Sequence, residues 1–247
     1  MNQLKIRRFA PLGYTRQEAV NTLCTNLSFS GENIKRIMIT SSHSSEGKSF
    51  LSMNIMRTFA NYGKKVALVE ADLRKNCIAS HYKLEYANQD GAGLAHYLSG
   101  LAEVNDVLYQ TDIPGAFIVP AGRNVSNPIA LLTSPRFREL MDYLTSVVDY
   151  VLVDTPPVIP VIDTAEIAKS CDGTLLVVSY NAVHRQELME AKERLEQTGC
   201  PIIGAALNQV EIGNDFNKKY YQYDSYFNGK NKRKNIRAKG KHIAERK

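Results

Sequence analysis

Tryptophan is missing from this 247-residue chain, and cysteine occurs only four times. No apolar run comes near the ~18 residues that cross a bilayer as a helix. Each shortage removes a class of protein. Cys24, Cys77, Cys171 and Cys200 are scattered, with no Cys-x-x-Cys spacing, which argues against a zinc site or a disulfide framework. Reduced and mostly buried thiols are the expectation. The opening Met-Asn-Gln-Leu-Lys-Ile-Arg-Arg-Phe-Ala is basic but lacks the apolar stretch of a secretory signal, so a cytoplasmic location is expected.

Negative charge is scarce at one end. The formal net charge is +6, but residues 218–247 alone hold 11 Lys or Arg against two acids, and the remaining 217 residues are slightly acidic. The basicity therefore belongs to a tail. Two readings stand for it: attraction to an anionic surface such as lipid headgroups or nucleic acid, or a solvated, disordered terminus.

What is present is an alternation of short apolar runs and amphipathic stretches. Residues 34–40, 66–69, 117–119, 150–153, 174–178 and 202–207 are short, apolar and rich in branched side chains, as strands buried on both faces are. Helical spacing follows at 48–62, where Gly63 supplies a stop, and at 187–197. Ser134-Pro135 offers an N-cap and an N1 proline ahead of an apolar stripe at Phe137, Leu140, Met141 and Leu144. Asp163 and Glu166 have the spacing of a capping box. A further helix is expected over 17–29, with Ala19, Val20, Leu23 and Leu27 on one side. This alternation predicts an α/β fold, a mostly parallel sheet covered by helices on both faces. The expected organisation is a polar lead-in at 1–33, one domain at 34–210, and a flexible tail at 211–247.

The first strand runs into Ser41-Ser42-His43-Ser44-Ser45-Glu46-Gly47-Lys48-Ser49 and then into a helix. A loop entering a helix presents free backbone N–H groups and the positive end of the dipole, which suits phosphate oxygens. Lys48 reaches β- and γ-phosphates from such a position, and the Ser49 hydroxyl is a Mg²⁺ ligand. The motif GxxxxGK[ST] would place glycine at 42, where this chain has Ser42. An ordinary Ser-rich loop at a helix start is the competing reading.

Two more strand ends carry acids: Glu70 and Asp72 after 66–69, and Asp154 after 150–153. In a parallel sheet these ends share one edge with the loop, and ligands bind there. Asp154 and Asp72 are expected near a metal, and Glu70 as the base for an attacking hydroxyl. Helix caps or solvated loop carboxylates are the alternative.

Together these motifs resemble the CpsD/CapB-like bacterial tyrosine kinases of exopolysaccharide and capsule synthesis, within the MinD/ParA-like P-loop ATPases. The loop ending in Lys48-Ser49 is similar to that family's Walker A, residues 66–76 to its Walker A′, and residues 149–158 to its Walker B. Gly93–Gly100, Val119–Gly122, Asn127-Pro128 and Gly204–Asn208 also look like family landmarks. The resemblance implies a P-loop fold and an ATP-Mg²⁺ site. Ser45, Glu46, Gly47, Lys48, Ser49, Phe50 and Asn208 would hold the nucleotide, with Asn208 facing adenine. Ser49, Asp72 and Asp154 would hold the metal, and Lys48, Glu70, Asp72 and Asp154 would carry the chemistry. It further implies that Tyr220, Tyr221, Tyr223 and Tyr226 are phosphorylated by another copy. A membrane-anchored polysaccharide co-polymerase or activator (Wzz/CpsC-like) would recruit the chain to the inner face of the plasma membrane. No nucleic-acid partner is expected.

The chain departs from the family at several positions. Ser44-Ser45 replaces the usual Pro-Gly, Phe50 a threonine, and Glu70 an aspartate. Of the oligomerisation motif Glu-x-x-Arg-x-x-Arg only Glu18 remains, with Asn21 and Cys24 at the arginine positions. Self-association is therefore expected without the arginine ladder that builds a ring. An ATPase switch of the MinD/ParA kind, or a nucleotide-binding scaffold with weakened catalysis, are the alternative functions.

Overall fold

A computed structural model describes residues 2–87 and 91–210. Nine strands form one sheet: β1 (Asn2–Ile6), β2 (Arg36–Ser41), β3 (Val66–Glu70), β4 (Leu84–Tyr86), β5 (Tyr109–Thr111), β6 (Ala116–Val119), β7 (Tyr150–Asp154), β8 (Gly173–Ser179) and β9 (Ile202–Asn208). Their spatial order is β4-β1-β5-β6-β3-β7-β2-β8-β9. From β6 to β9 every neighbouring pair is parallel; the antiparallel pairs are β1 with β4 and β5 with β6. The expected α/β architecture is present.

The central strands are buried on both faces, and the alternation of their side chains divides the core in two. Met38, Ala67, Val69, Val151 and Val153 point to one face, where Phe137, Leu140, Met141 and Leu144 of the Pro135–Val147 helix cover them. Ile37, Ile39, Val66, Leu68 and Leu152 point to the other, against Val20, Cys24 and Leu27 of the Tyr14–Ser28 helix and Met53, Ile55 and Phe59 of the Lys48–Asn61 helix. Period-two alternation on the strands and 3.6-residue spacing on the helices thus meet in one packed layer on each side.

The lead-in expected at 1–33 is sewn into this unit. Strand β1 pairs in parallel with β5, Leu4 and Ile6 are buried, and the Tyr14–Ser28 helix packs on the Lys48–Asn61 helix. Two buried residues in a five-residue strand give too little pattern to read from sequence. The two helix starts also differ from expectation. Ser134 is the N-cap residue, but its hydroxyl donates to Leu131 O at 2.7 Å instead of accepting from the helix. Asp163 makes no capping box, because its buried carboxylate is taken by Arg74, with Nε 2.6 Å from Oδ2 and Nη2 3.0 Å from Oδ1. A bidentate guanidinium outcompetes a single backbone N–H. Of the cysteines, Cys24 and Cys200 are buried, and Cys77 and Cys171 partly so. The tail from 211, with Tyr220, Tyr221, Tyr223 and Tyr226, lies outside the described residues.

Candidate nucleotide and phosphoryl-transfer site

Sheet register brings the site together. Ile39 of β2 and Glu70 of β3 both lie opposite Asp154 of β7, so the loop after β2 and the acidic ends of β3 and β7 share one edge. The loop enters the Lys48–Asn61 helix through Gly47, the N-cap residue, which sits at φ 87°. No side chain caps that helix and no acid lies in its first turn, leaving the first-turn amides for a ligand. The positive φ calls for glycine at 47, and a Cβ there would fall 2.1 Å from Asn208 Nδ2 and push that side chain aside. Ser42 escapes the demand that the motif predicted for it. The positive φ values of the loop fall at Ser45 and Gly47 instead.

The loop is braced by side chains from itself and from strand ends across the sheet. Glu46 is buried, and its carboxylate accepts from His43 N at 2.6 Å and from Ser179 N, at the end of β8, at 2.9 Å. Asn208 Nδ2 donates to Glu46 O at 2.9 Å, and Gln209 Nε2 donates to Ser45 O at 3.0 Å. Glu46 and Asn208, both expected against the nucleotide, therefore spend their side chains on loop shape. Gly47, Phe50 and Asn208 do line a cavity of about 730 Å³, which Ala19 and Leu23 of the Tyr14–Ser28 helix also line. Phe50 is exposed there.

The charged centre is nearly dry. Lys48 is 8% exposed, and burial pulls its pKa down, opposed by the charges of Asp154, Asp72 and Glu46. Asp154 is 2% exposed and accepts from Ser49 Oγ at 2.6 Å and Ser52 Oγ at 3.1 Å. Burial pushes its carboxyl up to about 6, against the pull of Ser49 and Lys48. Asp72 is also raised by burial. Its Oδ1 accepts from Arg74 N at 3.2 Å and Lys75 N at 2.9 Å, and Oδ2 is left without a hydrogen bond among the described residues.

Glu70 does not occupy the place expected of a base. It is 1% exposed; Oε1 accepts from Ile78 N at 2.8 Å and Oε2 from Ala121 N at 3.0 Å. Burial raises its carboxyl to about 7, with those amides pulling the other way. Each oxygen already accepts a backbone N–H, and the carboxylate is closed off from solvent. Asp72 is the strand-end carboxylate with an open oxygen.

On the Tyr14–Ser28 helix, Asn21 Nδ2 donates to Glu18 Oε1 at 2.9 Å, and Gln17 Nε2 donates to Asn21 Oδ1 at 3.0 Å. Cys24 is fully buried. Glu18 is thus satisfied within its own helix, and position 24 faces core rather than a neighbour.

Residues 34–198 match the family model described as an AAA domain. The chain is 37% identical over 212 residues to the tyrosine-protein kinase CpsD of Streptococcus pneumoniae, covering 86% of this chain and 91% of that one. It belongs to the CpsD/CapB family of bacterial tyrosine-protein kinases. The kinase domain of the Escherichia coli tyrosine kinase ETK superposes with a TM-score of 0.75 at 30% identity, covering 84% of each chain. A MinD protein from Pyrococcus horikoshii shares the fold at 21% identity, with a TM-score of 0.62 over 73% of this chain. The matched residues take in the loop and both acidic strand ends. The tie from Glu46 to Ser179 N and that from Glu70 to Ala121 N went unseen in the sequence, because those backbone partners lie on other elements.

Proposed function

We propose that the chain is an ATP-dependent protein-tyrosine autokinase serving exopolysaccharide or capsule synthesis. The observation that carries this is the convergence of Lys48, Ser49, Asp154 and the open oxygen of Asp72 at one sheet edge, in a chain of this family. The helix amides and Lys48 hold the phosphates, and the cavity beside Phe50 and Asn208 takes the adenosine end.

No group of three or more His, Cys, Asp or Glu among the described residues is arranged to cage a metal. A serine hydroxyl touching a carboxylate suits Mg²⁺, which keeps waters and substrate phosphates in its shell rather than filling it with protein. Ser49 and Asp154 would hold it, with Asp72 nearby, and its charge would offset that on the β- and γ-oxygens. During transfer the tyrosine oxygen bonds to the γ-phosphorus while the bond from that phosphorus to the β–γ bridging oxygen breaks. ADP leaves with the electron pair. The hydroxyl proton passes to Asp72 Oδ2 and then to solvent.

The acceptors are Tyr220, Tyr221, Tyr223 and Tyr226 on the tail of another copy. Each phosphate would bring nearly two negative charges to a strongly basic segment. Self-association uses a surface other than an arginine ladder, since Asn21 and Cys24 replace those arginines. No helix among the described residues is long and apolar enough to cross a membrane. A membrane-anchored co-polymerase or activator would bring the chain to the inner membrane face, where the basic tail adds attraction. The test is incubation with Mg-ATP and mass-spectrometric mapping of phosphotyrosine, beside Lys48→Met. Tail phosphorylation lost in Lys48→Met supports the reading. ATP hydrolysis without phosphotyrosine assigns the chain to an ATPase switch instead.

A further inference from the structure

Glu70 is left without a task by this mechanism, although it sits at the centre of the sheet edge. Its two hydrogen bonds go to two different connecting segments, the first at the start of the short Ile78–Tyr82 helix. Ile78 N belongs to the segment that follows β3 and carries Asp72, and Ala121 N belongs to the segment that follows β6. Further out the same two segments are joined again. Val125 N donates to Leu73 O at 3.0 Å, and Asn76 Nδ2 donates to Gly122 O at 2.6 Å. The result is a two-loop wall beside Asp72, rooted on one buried carboxylate.

We propose that Glu70 is a positioning residue for the phosphoryl acceptor: it fixes the two-loop wall against which the incoming tyrosine lies, and it takes no proton in the transfer. The proposal rests on the kinase reading above. Its physical basis is reach. Shortening the side chain by one methylene withdraws the carboxylate by about 1.5 Å. From there it cannot span both amides at hydrogen-bond distance. Glutamine keeps the length and one of the two bonds, so it disturbs the wall less. Glutamate at this position is then a requirement of this wall and not a defect in a base.

The experiment compares Glu70→Gln and Glu70→Asp in the full chain with a synthetic peptide of residues 216–228 as acceptor. The readouts are kcat, KM for the peptide, Kd for a fluorescent ADP analogue, and the pH profile of kcat. The expected result is a KM about tenfold higher in Glu70→Asp, with nucleotide Kd within about twofold. Glu70→Gln is expected to keep kcat within about threefold and leave the pH profile in place, because a lost general base would cost about 10²–10⁴. A loss beyond about 100-fold in kcat for Glu70→Gln overturns the proposal and makes Glu70 the base. An unchanged peptide KM in a folded Glu70→Asp overturns it as well. Should Glu70→Asp fail to fold, Glu70→Gln alone decides, by the same two limits on kcat. Wild-type protein that binds nucleotide and phosphorylates no tyrosine would refute the kinase reading itself, which separates the two failures.

Discussion

Replacing Asp154 by asparagine should make the nucleotide-free protein more stable at pH 8, although it removes a residue the chemistry needs. Asp154 is fully buried, and its carboxyl is raised from 3.8 to about 6. A raised carboxyl pKa means the folded state holds the proton more tightly than the unfolded chain. Folding is therefore unpenalised below about pH 4, loses stability as pH rises through the interval from 3.8 to about 6, and carries the full penalty above it. Two units correspond to roughly 3 kcal/mol.

Asparagine has the same shape and no charge. Its Oδ1 accepts from one serine hydroxyl, and its Nδ2 donates to the other, since Ser49 and Ser52 both turn freely between donor and acceptor. The variant should gain about 1–3 kcal/mol over wild type at pH 8 and nothing at pH 4, with a melting temperature higher by roughly 3–8 °C at the upper pH. The assay is a set of thermal and urea melts at pH 4, 6 and 8, with chelator and without nucleotide. Adding Mg-ADP should raise the wild type more than the variant, because only the wild type keeps the anionic metal ligand. A variant less stable than wild type at pH 8, or a difference that does not change with pH, refutes the reasoning.

Three other outcomes follow from the geometry. Gly47→Ala places a Cβ 2.1 Å from Asn208 Nδ2 at a φ of 87°, and ADP affinity measured by calorimetry should fall at least about tenfold. Glu46→Gln keeps the loop sequence but loses one of the two backbone amides that the carboxylate holds, His43 N or Ser179 N. Nucleotide Kd should rise several-fold while the melting temperature moves by only about 2–4 °C. Arg74→Ala leaves Asp163 buried and unpaired, a loss of about 2–4 kcal/mol in urea unfolding, and the double variant with Asp163→Asn should be less destabilised than Arg74→Ala alone.

The legible part of the fold was its middle. The strands β2, β3, β6, β7, β8 and β9 are apolar on both faces, so each announces itself without help from the others. Strands β4 and β5 have three residues each and lie toward the other edge of the sheet, where alternation has no length in which to show. The site was legible in position and less so in role. Asp154 and Lys48 follow from strand–loop–helix order alone. Asp163 and Glu166 carry the spacing of a capping box, yet Arg74, 89 residues away, claims the aspartate. Glu70 carries the signature of a strand-end base, and only folding brings Ile78 N and Ala121 N onto its two oxygens. Local spacing names the residue types; the long-range partner decides what each one does.

The phosphate loop shows the same division. Its sequence is poor in glycine, and Ser45 is held at φ 67°, a conformation that costs a non-glycine residue about 1–3 kcal/mol. Something outside the loop must over-determine that shape. Gln209 holds the Ser45 carbonyl and Asn208 the Glu46 carbonyl from positions 164 and 162 residues further along the chain, and Glu46 fastens the loop to the end of β8. Conformations that a glycine-rich loop adopts by residue type are here imposed by Asn208 and Gln209 at the end of β9 and by the tie from Glu46 to the end of β8. A serine-rich loop is then no obstacle to binding phosphate, provided β8 and β9 are in place. The dependence runs in the other direction too: a change at Asn208 or Gln209, beyond the end of the Walker motif by more than half the chain, should reach the nucleotide through the loop's backbone.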